Sequence, residues 1–286
     1  MMICQVLPLD ARALSVPSEW DGPLKAFEEH LRVGGARDET LHTRVGIARR
    51  IARGLQVPPA QVTPVMLESW LASHDWMPAT RKSYRSTARA LWSYFLQTGV
   101  TSLDAAAGMP VIHVPRYRPQ PLPETVYHEA LAAADDRRVR ILRLADEYGL
   151  RRAEIAVVNE ADLIDDLDGV SLIVHGKGGR DRMIPLMPDM AALLKTACKA
   201  GGGWAFPGRT NGHLSPSRVG HLAKDVLGDR HLHQGRHRAA TLMLRKTKNI
   251  RVVQEFLGHQ SLASTQIYTE VSWDELRAAV EAVAAA

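Results

Sequence analysis

HLHQGRHRAAT, His231 to Thr241, and LGHQSLASTQIYTEV, Leu257 to Val271, with an apolar-periodic helix between them, form the stretch from which the rest of the chain is best read. Together they gather His233, Arg236, His237, Gly258, His259 and Tyr268. A guanidinium and imidazoles suit a phosphate, and a tyrosine hydroxyl can act as a nucleophile once its proton has an acceptor. Each residue also has a blander reading. His233 and His237, four apart on a helix, could hold zinc, but neither Cys nor a third acidic ligand stands at useful spacing, so no metal is expected. Tyr268 could be a core tyrosine with a satisfied hydroxyl.

Upstream, helices are expected from about Pro123 to Ala134 and from Arg137 to Tyr148, the second stopped by Gly149. Arg151 to Val158 begins another, with Arg151 and Arg152 at its head. Ser171 to Val174 and Arg182 to Leu186 read as two strands of a hairpin closed by Gly176-Lys177-Gly178-Gly179. That turn is no nucleotide-binding P-loop, because Lys177 is not followed by Ser or Thr. Helices follow at about Asp189 to Lys199 and Pro216 to Leu227. Beyond Tyr268, Ser272 and Glu275 form a capping box for a last helix that places Trp273, Leu276, Val280 and Val283 on one face. The face is expected either to dock on a neighbouring copy or to pack on its own domain. The end, AVAAA, resembles the small apolar tails that bacterial unfoldase-proteases engage, with Ala285 and Ala286 exposed; an inconsequential helix end is the alternative.

The first half is also helical. Residues 1–18, with Pro8 and Pro17, read as a lead-in, and residues 19–108 as one helical domain. Asp21 can cap a helix carrying Leu24, Phe27 and Leu31. A helix from about Thr40 to Arg53, ended by Gly54, turns Leu41, Val45, Ala48 and Ala52 inward and Arg49, Arg50 and Arg53 outward. Thr63-Pro64 starts a short helix, and Thr80 to Gln97 is the clearest amphipathic segment. Its apolar face is Tyr84, Ala88, Leu91 and Phe95. Arg81, Arg85 and Arg89, with Lys82 beside them, form a basic stripe, read either as a solvated face or as a track for DNA phosphates. Residues 109–122 contain Pro110, Pro115, Pro119 and Pro121, a spacing that favours an extended linker before a second domain at 123–286. Arg116 and Arg118 lie on that linker and could touch a phosphate backbone.

A chain of 286 residues with 45% hydrophobic content suits two domains with ordinary cores, and its net charge of +5, weighted toward Arg, fits an anionic partner. Only Cys4 and Cys198 occur, so there is no disulfide framework, and a reducing cytosol is the expected compartment. Asp10 and Arg12 interrupt the first apolar pieces, which argues against a signal peptide. No apolar run approaches the ~20 residues of a membrane span.

In this order the pieces resemble the tyrosine recombinase, or phage integrase, family. YGLRRAEI, residues 148–155, is similar to the family's helix-start motif and implies Arg151 as its first arginine, supported by Glu154. HGKGGRDRMIPL resembles the hairpin motif and assigns Lys177. HQGRHRAAT resembles the His-x-x-Arg-His box and assigns His233 and Arg236, with His237 in support. LGHQSLASTQIYTEV resembles the closing motif and assigns His259 and the nucleophile Tyr268. The resemblance implies a mainly α fold with a small β-sheet: a helical core DNA-binding domain followed by an α+β catalytic domain. It implies a 3′-phosphotyrosyl intermediate, with Arg151 and Arg236 stabilising the phosphate, Lys177 as general acid, His233 as general base and His259 hydrogen-bonding the phosphate. No cofactor is implied. The implied partners are double-stranded DNA attachment sites, further copies of the chain up to a tetramer, and host or phage accessory factors.

The lead-in is too short for a separate arm-binding domain, so a compact integrase of a temperate phage or mobile element is expected. A chromosome-dimer-resolving recombinase is the alternative, and a non-catalytic DNA-binding protein of the same fold is the alternative of a different class. One position departs from the family pattern: Gly235 stands where a leucine is usual. Glycine inside a helix costs ~1 kcal/mol against alanine, which puts the local helix start in question.

Overall fold

The computed structural model describes residues 14–115, 120–176, 179–258 and 277. Lys177, His259, Tyr268, Arg116, Arg118, the capping box at Ser272 and Glu275, and Ala285 and Ala286 lie outside the described residues. The chain divides into two compact units, Met1–Arg116 and Tyr117–Ala286.

The first unit is built from α1 (Asp21–Val33), α2 (Asp38–Leu55), α3 (Pro64–Ala72) and α4 (Pro78–Gln97). Thr63 starts α3 as its spacing predicts, its hydroxyl accepting from the Met66 N–H at 3.3 Å with Pro64 in the first turn. Proline is equally at home in the first turn of α4, which therefore begins at Pro78 rather than Thr80. The expected stop at Gly54 is displaced: α2 runs on to Leu55 and ends with Gln56 in the left-handed region at φ 53°. Gly54 serves packing instead, since a Cβ there would fall 1.9 Å from Nε1 of Trp70. The apolar faces of α1, α2 and α4 meet in a core that includes Trp20, Phe27, Ile51, Leu67, Leu91, Trp92 and Phe95, all buried. Trp20 meets Trp92 edge-on at 6.1 Å. Burying side chains of this size contributes about 1.5–3 kcal/mol each before conformational entropy is subtracted.

The second unit comprises α5 (Glu124–Ala133), α6 (Asp136–Asp146), α7 (Arg152–Ala156), β1 (Leu163–Asp166), β2 (Gly169–His175), β3 (Asp181–Leu186), α8 (Pro188–Ala200), β4 (Pro207–Thr210), α9 (Pro216–Leu227), α10 (Leu232–Thr247) and α11 (Ile250–Leu257). β1, β2 and β3 form an antiparallel sheet in that order, with Leu172 opposite both Leu163 and Ile184. Leu172, Val174, Ile184 and Leu186 face a core shared with Ile141, Leu144, Ile155, Met190, Leu194, Phe206 and Val219. β1 was not legible as a strand because its sequence, LIDD, ends in carboxylates. Asp166 spends its charge locally, accepting from Ser171 Oγ at 2.5 Å and from the Asp168 N–H at 3.0 Å to shape the β1–β2 turn.

α10 and α11 separate at Lys248, which adopts φ 52°, and Asn249 caps α11 by accepting from the Arg251 N–H at 2.9 Å. Val253 and Leu257 of α11 pack on Ala240 of α10. Among the described residues no helix is long and apolar enough to cross a membrane.

Candidate active site

The site is assembled around the carboxylate of Glu154. Gly149, at φ 65°, turns the chain out of α6; a Cβ there would be strained and would sit 2.8 Å from Cε1 of Phe256. Arg151 then lies extended before α7, and Glu154 in the first turn reaches back to accept from the Arg151 N–H at 2.8 Å and from its Nη1 at 2.7 Å. Arg182 of β3 donates to both oxygens of the same carboxylate, at 3.1 and 2.9 Å. Arg236 of α10 brings Nη1 to 3.7 Å from it.

Two of these arginines also hold the end of α11. Arg182 donates through Nε to the Phe256 carbonyl at 2.9 Å, and Arg236 donates through Nη2 to the Leu257 carbonyl at 2.6 Å. Arg236 Nη1 also donates to the Gly149 carbonyl. Segments far apart in sequence, the start of α7, β3, α10 and the end of α11, are thereby joined through one carboxylate and two arginines. Exposure grades the cations: the Arg236 side chain is 1% exposed, Arg182 10% and Arg151 36%. Burial pushes the Glu154 carboxyl up, but the hydrogen bonds and charge of Arg182, the Arg151 N–H and the charge of Arg236 outweigh it and hold the acid below the usual carboxylate range.

His233 and His237 follow one another on α10, their ring centroids 4.5 Å apart and nearly perpendicular. Desolvation, then the charges of Arg236, Arg151 and Arg152, push His233 below its ordinary value, so its imidazole is neutral near pH 7. Desolvation, then His233 and Arg236, push His237 down to about 4. The doubt attached to Gly235 is resolved, because α10 begins at Leu232 and runs through it. Gly235 is buried, and a Cβ would lie 3.5 Å from the backbone and Cβ of Asp146, ordinary contact distance. A Cβ is therefore accommodated against α6, and a side chain longer than alanine's starts from a buried position already in contact with Asp146.

The hairpin that carries Lys177 in sequence is braced at its base. Gly176 donates to the Arg180 carbonyl at 3.1 Å, and His175 lies between Asp162 at 2.8 Å and Asp181 at 3.1 Å. Hydrogen bonding to Asp162, against some desolvation, and the further pull of Asp181 raise the His175 pKa above its ordinary value.

In the first unit Arg49, Arg50, Arg81, Lys82 and Arg89 are exposed, and Arg53 and Arg85 half-buried. Several have intramolecular partners that the i, i+4 spacing did not suggest. Arg50 donates to the Tyr84 hydroxyl at 2.7 Å, Arg85 donates twice to the Met109 carbonyl at 3.2 and 3.0 Å, and Arg89 reaches the Ala107 carbonyl at 3.4 Å.

Sequence reasoning missed Arg182 and the pairing of the buried Asp146 of α6 with the partly exposed Arg238 of α10. A signal for Arg182 was present: β alternation puts residues 182, 184 and 186 on one face, so a strand whose Ile184 and Leu186 point into a core carries a guanidinium on the same side.

Residues 121–275 match the phage integrase family. The chain is 30% identical to tyrosine recombinase XerC of Xanthomonas campestris pv. campestris, over 93% of this chain and 92% of that protein. It is 35% identical to tyrosine recombinase XerA of Pyrococcus horikoshii, over 70% and 73%. A lambda integrase tetramer bound to a Holliday junction shares the fold at TM-score 0.67 and 21% identity, covering 84% of this chain and 77% of that one. With Glu154 gathering the arginines of its motifs, the chain belongs to the phage integrase family and is a site-specific tyrosine recombinase.

Proposed function

We propose that the chain cleaves and rejoins DNA through Tyr268, using Arg151, Lys177, His233, Arg236 and His259 around the scissile phosphate. The Tyr268 oxygen bonds to phosphorus as the bond to the 5′-oxygen breaks, leaving a 3′-phosphotyrosyl link and a free 5′-hydroxyl. His233 takes the tyrosine proton, Lys177 protonates the leaving oxygen, and His259 hydrogen-bonds the phosphate. Arg151 and Arg236 stabilise the phosphorane, each such donor being worth ~10²–10³ in rate. The phosphotyrosyl link conserves the phosphodiester energy, so the reverse attack by a 5′-hydroxyl needs neither ATP nor a metal.

The observation that carries this reading is the joining, through Glu154 and Arg236, of the starts of α7 and α10 to the carbonyl end of α11, one residue before Gly258-His259. The lowered pKa of His233 supports it, because a base must be neutral at the working pH. The test is a nicked duplex from which the cleaved strand diffuses away, trapping the covalent complex and mapping the joined nucleotide. Tyr268→Phe should bind the duplex and form no covalent product, and a chelator should leave wild-type cleavage unchanged. Cleavage persisting in Tyr268→Phe overturns the nucleophile assignment.

Residues 19–108 are assigned to DNA binding through Arg49, Arg50, Arg53, Arg81, Lys82, Arg85 and Arg89, and residues 109–122 to a linker that adds Arg116 and Arg118. The setting assigned is integration and excision of a phage or mobile element at attachment sites, by four copies exchanging strands through a Holliday junction. The solved lambda integrase tetramer on such a junction supports that assembly. The Xer relatives favour a second setting, chromosome-dimer resolution. Recombination between two unlike sites supports the first; recombination only between two copies of one site supports the second.

A further inference from the structure

We propose that Arg182 is a positioning residue that neutralises Glu154, so that Arg151 and Arg236 keep both of their positive charges for the scissile phosphate. The inference rests on the phosphate site proposed above. A phosphodiester is a monoanion and the phosphorane formed from it a dianion, which two arginines match. A carboxylate between those arginines cancels one of the charges, and in a site this buried the loss is poorly screened. Glu154 is nevertheless needed, because it accepts both the N–H and the Nη1 of Arg151 and so fixes the extended residue that opens α7. Arg182 lets the site keep the orienting carboxylate without its electrostatic penalty.

The geometry ties Arg182 to Glu154 through both ends of its fork. Both of its terminal nitrogens face the Glu154 carboxylate, and its third nitrogen donates to the Phe256 carbonyl. All three guanidinium nitrogens are thus bonded inside the protein. Arg182 also lies on β3, five residues past Lys177, and so holds that strand against α7 and α11. The path of its side chain is kept clear by Gly258, whose φ of 62° suits glycine and where a Cβ would stand 3.1 Å from Cδ and 3.2 Å from Nη1 of Arg182.

The test is single-turnover cleavage of the nicked duplex by Arg182→Gln, Arg182→Lys and the double variant Arg182→Gln with Glu154→Gln, each checked for folding by its melting curve. A charge-neutralising role expects Arg182→Gln to lose about 100-fold or more, since one transition-state cation is then cancelled. Arg182→Lys, which keeps the charge and loses the fork, should stay within about tenfold of wild type. Removing the Glu154 charge in the Arg182→Gln background should restore at least about tenfold, a non-additivity that a merely structural role does not produce. A folded Arg182→Lys as slow as Arg182→Gln, or a double variant no faster than Arg182→Gln, overturns the proposal. If Arg182→Gln does not fold, the Arg182→Lys rate alone decides. Arg151→Ala run in parallel separates the two readings: wild-type cleavage there overturns the phosphate site and this inference together, whereas a large loss there with Arg182→Gln unimpaired overturns this inference only.

Discussion

The arginines on the helices of the first unit and those around Glu154 in the second carry the same side chain in opposite surroundings. In the first unit they stand on a helix surface, mostly exposed, and the partners of three of them are neutral oxygens or a distant carboxylate: Arg50 on the Tyr84 hydroxyl, Arg89 on the Ala107 carbonyl, Arg81 at 3.8 Å from Asp75. In the second, Arg182 and Arg236 are bonded to a buried carboxylate region and to the carbonyls that end α11. An exposed arginine adds little to stability and leaves its donors available to a ligand. A buried one is part of the framework, and removing it strands its partners.

The comparison breaks first at Arg236. Arg236→Ala leaves the Leu257 and Gly149 carbonyls without their donor and Glu154 with one cation fewer, so unfolding in urea should show a loss of about 3–5 kcal/mol, with cleavage abolished. A variant that unfolds like wild type would mean that the buried arginines are no more structural than the exposed ones.

The next effect is on pH. His237 has a folded pKa of about 4 against the usual 6.5, so between those values the unfolded chain binds more protons than the folded one. Its contribution is complete above about pH 6.5 and is lost as pH falls toward 4, on the order of 1–3 kcal/mol. Asp146 works the other way: burial, only partly offset by Arg238, raises it to about 6, so stability falls as pH rises from about 4 to 6. His237→Gln should therefore show a shallower acid loss of melting temperature than wild type over pH 4–6.5. Parallel curves would remove His237 as the source.

Gly235→Leu should cost about 1–3 kcal/mol by overpacking α10 on Asp146, while Gly235→Ala, with its Cβ at ordinary contact distance, should fall within about 1 kcal/mol of wild type. Urea midpoints separate the two. Smallest are the surface cations. Arg81→Ala should change stability by less than about 0.5 kcal/mol yet lower the salt slope of DNA binding by about 1. Arg85→Ala, which loses two bonds to Met109, should instead lower stability by about 1 kcal/mol. Equal stability losses at the two positions would erase the distinction between exposed and bonded arginines even within the first unit.

What could be read in advance followed from periodicity and local chemistry. The apolar faces of α2 and α4, the Thr63 cap, the β2–β3 hairpin and the motif residues Arg151, His233 and Arg236 are all local patterns. What could not be read depends on contacts distant in sequence. Gly54 looks like a helix stop until Trp70 occupies the space beside it, and Gly235 like a defect until α6 is seen against it. β1 is hidden by two carboxylates, one satisfied within its own turn and the other by Lys195 of α8, and Arg182 by the strand on which it lies.

The carbonyl end of α11 is gripped by two guanidinium groups, at Phe256 and at Leu257. A helix terminus would ordinarily fray, and here it becomes a mooring. Tyr268 lies ten residues beyond Gly258 in the sequence, and ten residues reach at most about 33–36 Å. The mooring therefore fixes the point at which the chain leaves α11, and loss of Arg182 or Arg236 would shift that point even with every later residue unchanged.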